Sequence, residues 1–185
     1  RKEIGFLIVA TVPVVVVGFL LRERIDALFA SIRLIGVGWL LVGLLLLSVD
    51  RAARRARRRS LTMFDAAVVG IAQAASILPG FSRSGVTIAA GALRGVQIDK
   101  AVRFSFVLSI PALVGAAVLS LVDAATSGGF AQVAWGGVAL GAAAAFLVGL
   151  GAARILLGAV ARGQVWVFGA YSMLVGAAAV IWGGA

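Results

Sequence analysis

The sequence predicts an all-α integral membrane protein, a polytopic helical bundle forming one transmembrane domain over residues 1–185. Three observations carry that expectation. Hydrophobic residues make up 62% of the chain and its mean hydropathy is +1.12, whereas soluble domains sit nearer half apolar. Several apolar runs exceed the ~18 residues that mark a spanning helix. The 17 Lys and Arg residues lie mostly between those runs rather than inside them, as loop charges do in membrane proteins.

Each element can be justified in order. The first span is expected from Ile4 to about Leu21 and contains Pro13. A short loop of balanced charge follows, Arg22-Glu23-Arg24-Ile25-Asp26, and then a second span from Leu34 to Val49. Six arginines fall within Arg51–Arg59. Leu61–Val96 is apolar but broken by a polar stretch. Ala101–Val122 is a span with Pro111 near its middle, and a Gly/Ser loop around Thr126-Ser127-Gly128-Gly129 follows it. Val133–Leu150 and Gln164–Trp182 complete the set. Trp135, Trp166 and Trp182 lie near span ends, where interfacial aromatics collect. The 24 glycines imply close helix packing through small residues. The pairs Gly91/Gly95 and Gly137/Gly141 are the contacts expected from spacing.

Composition also removes function classes. There is no Cys, so neither disulfides nor thiolate chemistry are available. There is no His, the commonest general base and metal ligand. The net charge of +10 does not indicate nucleic acid, because a topology anchor touching anionic lipid head groups explains the arginine cluster better. The run behind Arg1 and Lys2 imitates a signal peptide, but the later spans argue against that. With Arg as its first residue, the chain is expected to be cut from a longer one.

Charge sets the expected topology. With the Arg51–Arg59 loop placed in the cytoplasm, thirteen basic residues fall on that side and three, Arg22, Arg24 and Arg33, on the other. The cluster and the group Arg94, Lys100 and Arg103 then share one side. Leu61–Val96 has 36 residues, too few for two spans of ~20 plus a loop. A re-entrant helix-turn-helix hairpin over about 61–96 fits, turning at Pro79-Gly80. Pro79 ends the first arm for want of an N–H, and Gly80 permits a turn that a β-carbon forbids.

That turn opens Pro79-Gly80-Phe81-Ser82-Arg83-Ser84-Gly85-Val86-Thr87, a cationic, hydroxyl-rich break in an apolar segment. A charge at membrane depth costs several kcal/mol unless it faces a cavity or a partner, so Arg83 is a candidate functional residue. The returning arm starts there, and a helix N-terminus offers unpaired N–H groups and partial positive charge. The planar fork of Arg83 matches phosphate oxygens in pairs. The hydroxyls of Ser82, Ser84 and Thr87 can donate to phosphoryl oxygens, with Ser84 and Thr87 expected on neighbouring positions of one face. A lipid phosphate could reach such a place with its tail still in hydrocarbon. From these residues alone, an arginine paired with carbonyls or a carboxylate remains open, since Ser, Thr and Gly are also ordinary packing residues in membranes.

PGFSRSGVT resembles the PGxSRSxxT signature of the undecaprenyl-diphosphate phosphatase family, the bacitracin-resistance type. The stretch Asp65–Gln73 is similar to the family's approach to that signature, and Arg103–Ala112 to its FSFLLSIP segment. The likeness extends over nearly the whole chain. It implies hydrolysis of undecaprenyl or another polyprenyl diphosphate to the monophosphate plus phosphate, recycling a cell-wall lipid carrier and linked to bacitracin resistance. It further implies an inverted-repeat architecture, a divalent cation (Mg or Ca), a homodimer, and a bacterial plasma-membrane location. Position by position, Arg83 and Ser82 carry the catalytic roles. Gly80, Ser82, Arg83, Ser84 and Thr87 bind the diphosphate, and Gln73 and Ser105 line the cavity. No metal ligand is assigned within this sequence.

The sequence departs from the family in one respect. The family's other hairpin carries two glutamates four apart and a Ser-rich turn ending in His. Here Glu occurs only at Glu3 and Glu23. The chain resembles the C-terminal two-thirds of the family, and the metal ligands and acid/base group are expected upstream. Asp65 is expected to be a helix-start carboxylate rather than a metal ligand. Ser105 and Ser109, four apart, either line the cavity or pack. A lipid translocase using the broken helix as an anion site without chemistry is the alternative. A lipid phosphatase built on paired His residues is argued against by their absence.

Overall fold

The computed structural model describes residues 2–21, 24, 28–56, 58, 60–126 and 133–183, with backbone only at 50, 51 and 53–55. Seven helices follow in order: α1 Lys2–Leu21, α2 Ile32–Arg55, α3 Met63–Ala75, α4 Arg83–Leu93, α5 Ile98–Thr126, α6 Trp135–Ala161 and α7 Val165–Trp182. The described residues form no named strand. Five helices, α1, α2 (over 32–49), α5, α6 and α7, are long and apolar enough to cross a membrane. The chain is an all-α membrane protein. Most of the expected 22–26 loop and of the 126–129 loop lies outside the described residues, as do Arg57 and Arg59.

α2 and α6 run furthest past the ends that hydropathy predicts. α2 continues through Arg51–Arg55, and α6 continues past Leu150 to Ala161. The reason is local: Arg, Ala and Leu are strong helix formers, and no proline interrupts either stretch. The polar end of an apolar run therefore extends the helix instead of ending it.

α3 has 13 residues and α4 has 11. At 1.5 Å per residue they measure about 20 and 17 Å, short of the ~30 Å hydrocarbon core. They form a helical hairpin. Thr62 starts α3 with a complete capping box, its hydroxyl accepting the Asp65 N–H while the Asp65 carboxylate accepts the Thr62 N–H. Ser82 caps α4 by accepting the Gly85 N–H at 3.2 Å. α1 runs beside α3 in the same direction: Gly5 lies near Met63, Ala10 meets Gly70 and Gly18 lies near Ile77. α4 runs between α2 and α5.

The hairpin tip is seated directly on α2. A β-carbon on Gly38 would fall on the Pro79 carbonyl, and one on Gly80 would fall on the Ile35 carbonyl. Gly80 also has φ +82°, which costs other L-residues roughly 1–2 kcal/mol. Gly80→Ala should therefore lower stability by at least ~2 kcal/mol, combining that strain with overpacking. A thermal unfolding shift in detergent measures it, and an unchanged midpoint would show that the tip does not rest on α2.

The closest helix pair is α2 with α7. Gly43 meets the Gly169 carbonyl and Gly176 meets the Gly36 carbonyl, so the backbones nearly touch. This seam uses a spacing of seven residues and is not the one expected from four-residue spacing. Gly91 does pack, against Ala101 of α5, but Gly95 is the positive-φ residue after α4. Gly141 has nothing within 4 Å and Gly137 only the nearby Ala134. Most of α6 is exposed.

At the other end, the two feet of the hairpin are tied together. The Arg58 N–H donates to the Gly95 carbonyl at 3.1 Å, and Gln97 N–H donates to the Arg58 carbonyl at 2.9 Å. Arg58 also donates to the Arg94 carbonyl. Asp65, 0% exposed, takes Arg58 Nη1 at 2.7 Å on one oxygen and Arg94 Nε at 3.0 Å on the other. Arg94 in turn lies 4.8 Å above the Phe64 ring. Asp65 is the helix-start carboxylate the sequence suggests, with two guanidinium partners added.

Candidate active site

The start of α4 is where the predicted site residues gather. Ser82 is the N-cap, Arg83 the first helical residue and Ser84 the second. Ser82 Oγ stands 3.4 Å from Ser84 Oγ. Since Ser82 already accepts the Gly85 N–H, its own O–H remains available to donate. Gly80, Ser82 and Ser84 line a cavity of about 540 Å³ between α2, α4, α6 and α7. Its other walls are largely apolar: Val42, Ile88, Leu156 and Phe168 among them.

Arg83 is half-buried and is not part of that wall. No carboxylate pairs with it among the described residues. The nearest carboxylate in sequence, Asp65, is committed at the hairpin feet. A cation at the positive end of a helix with no anionic partner is an arrangement suited to an anion.

Thr87 turns the other way. It is 2% exposed and its Oγ1 is 2.6 Å from Ser105 Oγ on α5. The same Oγ1 donates to the Arg83 carbonyl at 2.8 Å. Ser84 and Thr87, three residues apart, thus diverge: Ser84 lines the cavity and Thr87 is held against α5. Three residues rotate ~60° short of a full turn, and the boundary between the α2 and α5 sides of α4 falls within that angle. Gly91 against Ala101 and Thr87 against Ser105 set an antiparallel register between α4 and α5. Continued by one turn, it brings Arg83 to the level of Ser109.

Gln73 is fully buried on α3, and neither its Nε2 nor its Oε1 has a hydrogen-bond partner among the described residues. An amide buried in that state costs about 1–3 kcal/mol. It does not line the cavity beside Ser82. Two aromatic residues that composition did not single out do: Trp39 and Tyr171 line the cavity and pack edge to face with centroids 5.8 Å apart. Ser172, buried on α7, joins them. The signal that could have found Tyr171 and Ser172 is polarity: they are adjacent polar residues inside an otherwise apolar final span.

The described residues do not by themselves fit a divalent cation. Among the described residues no group of three or more His, Cys, Asp or Glu side chains comes together. Both oxygens of Asp65 are taken by Arg58, Arg94 and Thr62.

A sequence profile described as bacitracin resistance protein BacA matches residues 1–178. An undecaprenyl-diphosphatase of Korarchaeum cryptofilum (strain OPF8) is 36% identical over 96% of this chain and 65% of its own length. One from Chromohalobacter salexigens is 37% identical over 95% of this chain and 66% of its own, and one from Moorella thermoacetica is 38% identical over 96% and 67%. The chain spans about two thirds of the length of the curated relatives it matches. With the match covering six of these helices and reaching into α7, the chain belongs to the bacitracin resistance protein BacA family.

Proposed function

We propose that the protein carrying this chain hydrolyses a polyprenyl diphosphate in the membrane, undecaprenyl diphosphate being the substrate its relatives' names indicate. The products are the lipid monophosphate and inorganic phosphate, in the recycling of a cell-wall lipid carrier at the bacterial plasma membrane. The observation that carries the reading is Arg83: a half-buried residue at a helix N-terminus, without a carboxylate partner among the described residues, flanked in sequence by Ser82 and Ser84. The hairpin is re-entrant in this proposal. Both feet, with Arg58 and Arg94, stay at the cytoplasmic face with the Arg51–Arg59 cluster, while the tip holds the phosphates at depth. Arms of about 20 and 17 Å support this, being too short to cross.

The chain's own residues have definite tasks in that reaction. Arg83 grips non-bridging oxygens in pairs, and the Ser82 and Ser84 hydroxyls donate to further oxygens. The positive end of α4 stabilises the charge that collects as the bond between the terminal phosphorus and the bridging oxygen breaks. The electron pair of that bond leaves on the lipid monophosphate, and the elements of water end on the released phosphate. Thr87 and Ser105 fix the azimuth of α4 and thereby the direction of Arg83. Gln73 lies on the arm leading to the turn, with an uncommitted amide. A divalent cation, Mg or Ca, belongs to this proposal only with ligands from outside the described residues.

The test is phosphate release from undecaprenyl diphosphate by the full-length protein in proteoliposomes, with lipid flux followed in parallel. Phosphate release that tracks protein concentration is expected. Lipid flux without phosphate release would replace the enzyme by a translocase.

A further inference from the structure

Two cavities lie end to end along the seam between α1 and α5, and both include Leu7. The first, about 770 Å³, opens at the start of the two helices. Lys2, Lys100 and Arg103 line it, with Phe6 and Phe104 beside them and one carboxylate, Glu3. Lys100 also has Asp99 at 3.9 Å, a loose and exposed pair worth little. Ser60 and Leu61 complete the wall, which places the mouth at the hairpin feet, far from the tip that carries Arg83.

The second cavity, about 540 Å³, continues from Leu7 up to Val16 on α1 and to Val114 on α5. Its walls are apolar apart from Thr11. Thr11 Oγ1 donates to the Leu7 carbonyl at 2.7 Å, so its polarity is satisfied within its own helix. Leu7, shared by the two cavities, packs against the buried cluster of Ala10, Val69 and Leu108. From Leu7 to Val16 the helix rises about 14 Å, close to half of the ~30 Å hydrocarbon core, or one leaflet.

We infer that this seam is a binding site for one anionic phospholipid, its phosphate among Lys2, Lys100 and Arg103 and one acyl chain in the slot from Leu7 to Val16. Charge complementarity selects the occupant. Three cations against Glu3 favour an anionic head group, and basic pockets between membrane helices are known to hold such groups. A free phosphate would have no use for a slot one leaflet deep. A neutral lipid would have no use for the cations. The inference does not depend on the reaction proposed above, because none of these residues lies on the hairpin tip.

The experiment is native mass spectrometry of the protein released from nanodiscs of equal parts phosphatidylglycerol and phosphatidylcholine. Phosphatidylglycerol should be retained in preference. Arg103→Gln should reduce that preference about five-fold, one charge's worth, and the combination Lys2→Gln, Lys100→Gln, Arg103→Gln should remove it. Val12→Trp, which fills the slot and leaves every charge in place, should also lose the lipid. Equal retention of the two lipids by the unmodified protein would reduce the seam to ordinary lipid contact and overturn the inference. Full displacement by millimolar inorganic phosphate, or undiminished binding in Val12→Trp, would overturn the acyl slot.

Discussion

Arg83→Ala should abolish phosphate release from undecaprenyl diphosphate, with a loss of at least 100-fold in the full-length protein. A donor aimed at developing phosphoryl charge is worth about 3–4 kcal/mol in the transition state, which is 10²–10³ in rate. The proposed reaction gives Arg83 that role because of its place at the N-terminus of α4 and the lack of a carboxylate partner among the described residues. A structural arginine in this setting pairs with a carboxylate or with carbonyls, and no carboxylate supplies that partner among the described residues. Its position at the positive end of α4 makes the unpaired charge unfavourable until an anion arrives. The same reasoning predicts that the alanine variant keeps its thermal midpoint, or gains slightly, while activity disappears. Arg83→Lys separates charge from geometry. It keeps one positive charge but loses the planar fork, so it should retain a small fraction of activity. Wild-type turnover in Arg83→Ala would remove this residue from the reaction and the proposed site with it.

The spans and the hairpin were legible in the sequence because they depend on one-dimensional signals. Apolar runs longer than ~18 residues are one. Pro79-Gly80, a stop followed by a residue free to take positive φ, is another, and Gly80 does adopt φ +82°. What was not legible depends on which helix becomes whose neighbour. Ser84 and Thr87 read as members of one face, but α4 has α2 on one side and α5 on the other, so they part. The α2–α7 glycine seam pairs residues more than 125 positions apart, Gly43 with Gly169 and Gly36 with Gly176, and no local pattern announces such a pair. Tyr171 lines the cavity only because α7 comes across from Ser82. Arg58 and Arg94 were read as topology charges. Their second use, holding Asp65, requires both hairpin feet to meet, and 36 residues separate the two arginines.

Asp65→Ala should destabilise the folded protein by about 3 kcal/mol, roughly the lower bound for breaking a buried ion pair. The lower end applies because Arg58 and Arg94 are each 41% exposed, so water replaces part of what they lose. The carboxylate does two jobs at once. It completes the Thr62 capping box at the start of α3, and it joins Arg58 to Arg94, fixing where the returning arm ends. The Arg58 hydrogen bond holds its carboxyl well below the usual carboxylate range; burial pulls the other way, and the Thr62 and Arg94 hydrogen bonds add to the lowering. The sign of the pH dependence follows. A group whose folded pKa is depressed contributes its full stability above the unfolded value of ~3.9, and loses it as pH falls below that value toward the folded one. The gap in unfolding midpoint between the wild type and Asp65→Ala should therefore be constant at neutral pH and narrow as pH is lowered past ~4. A gap that widens in acid, or is absent at pH ~7 where the carboxylate is ionised, would mean that Asp65 does not tie the feet together. Because those feet set the tilt of both arms, the variant should also displace Arg83 and slow phosphate release even at temperatures where it remains folded. Activity lost in parallel with stability separates this residue from Arg83, whose removal takes activity alone.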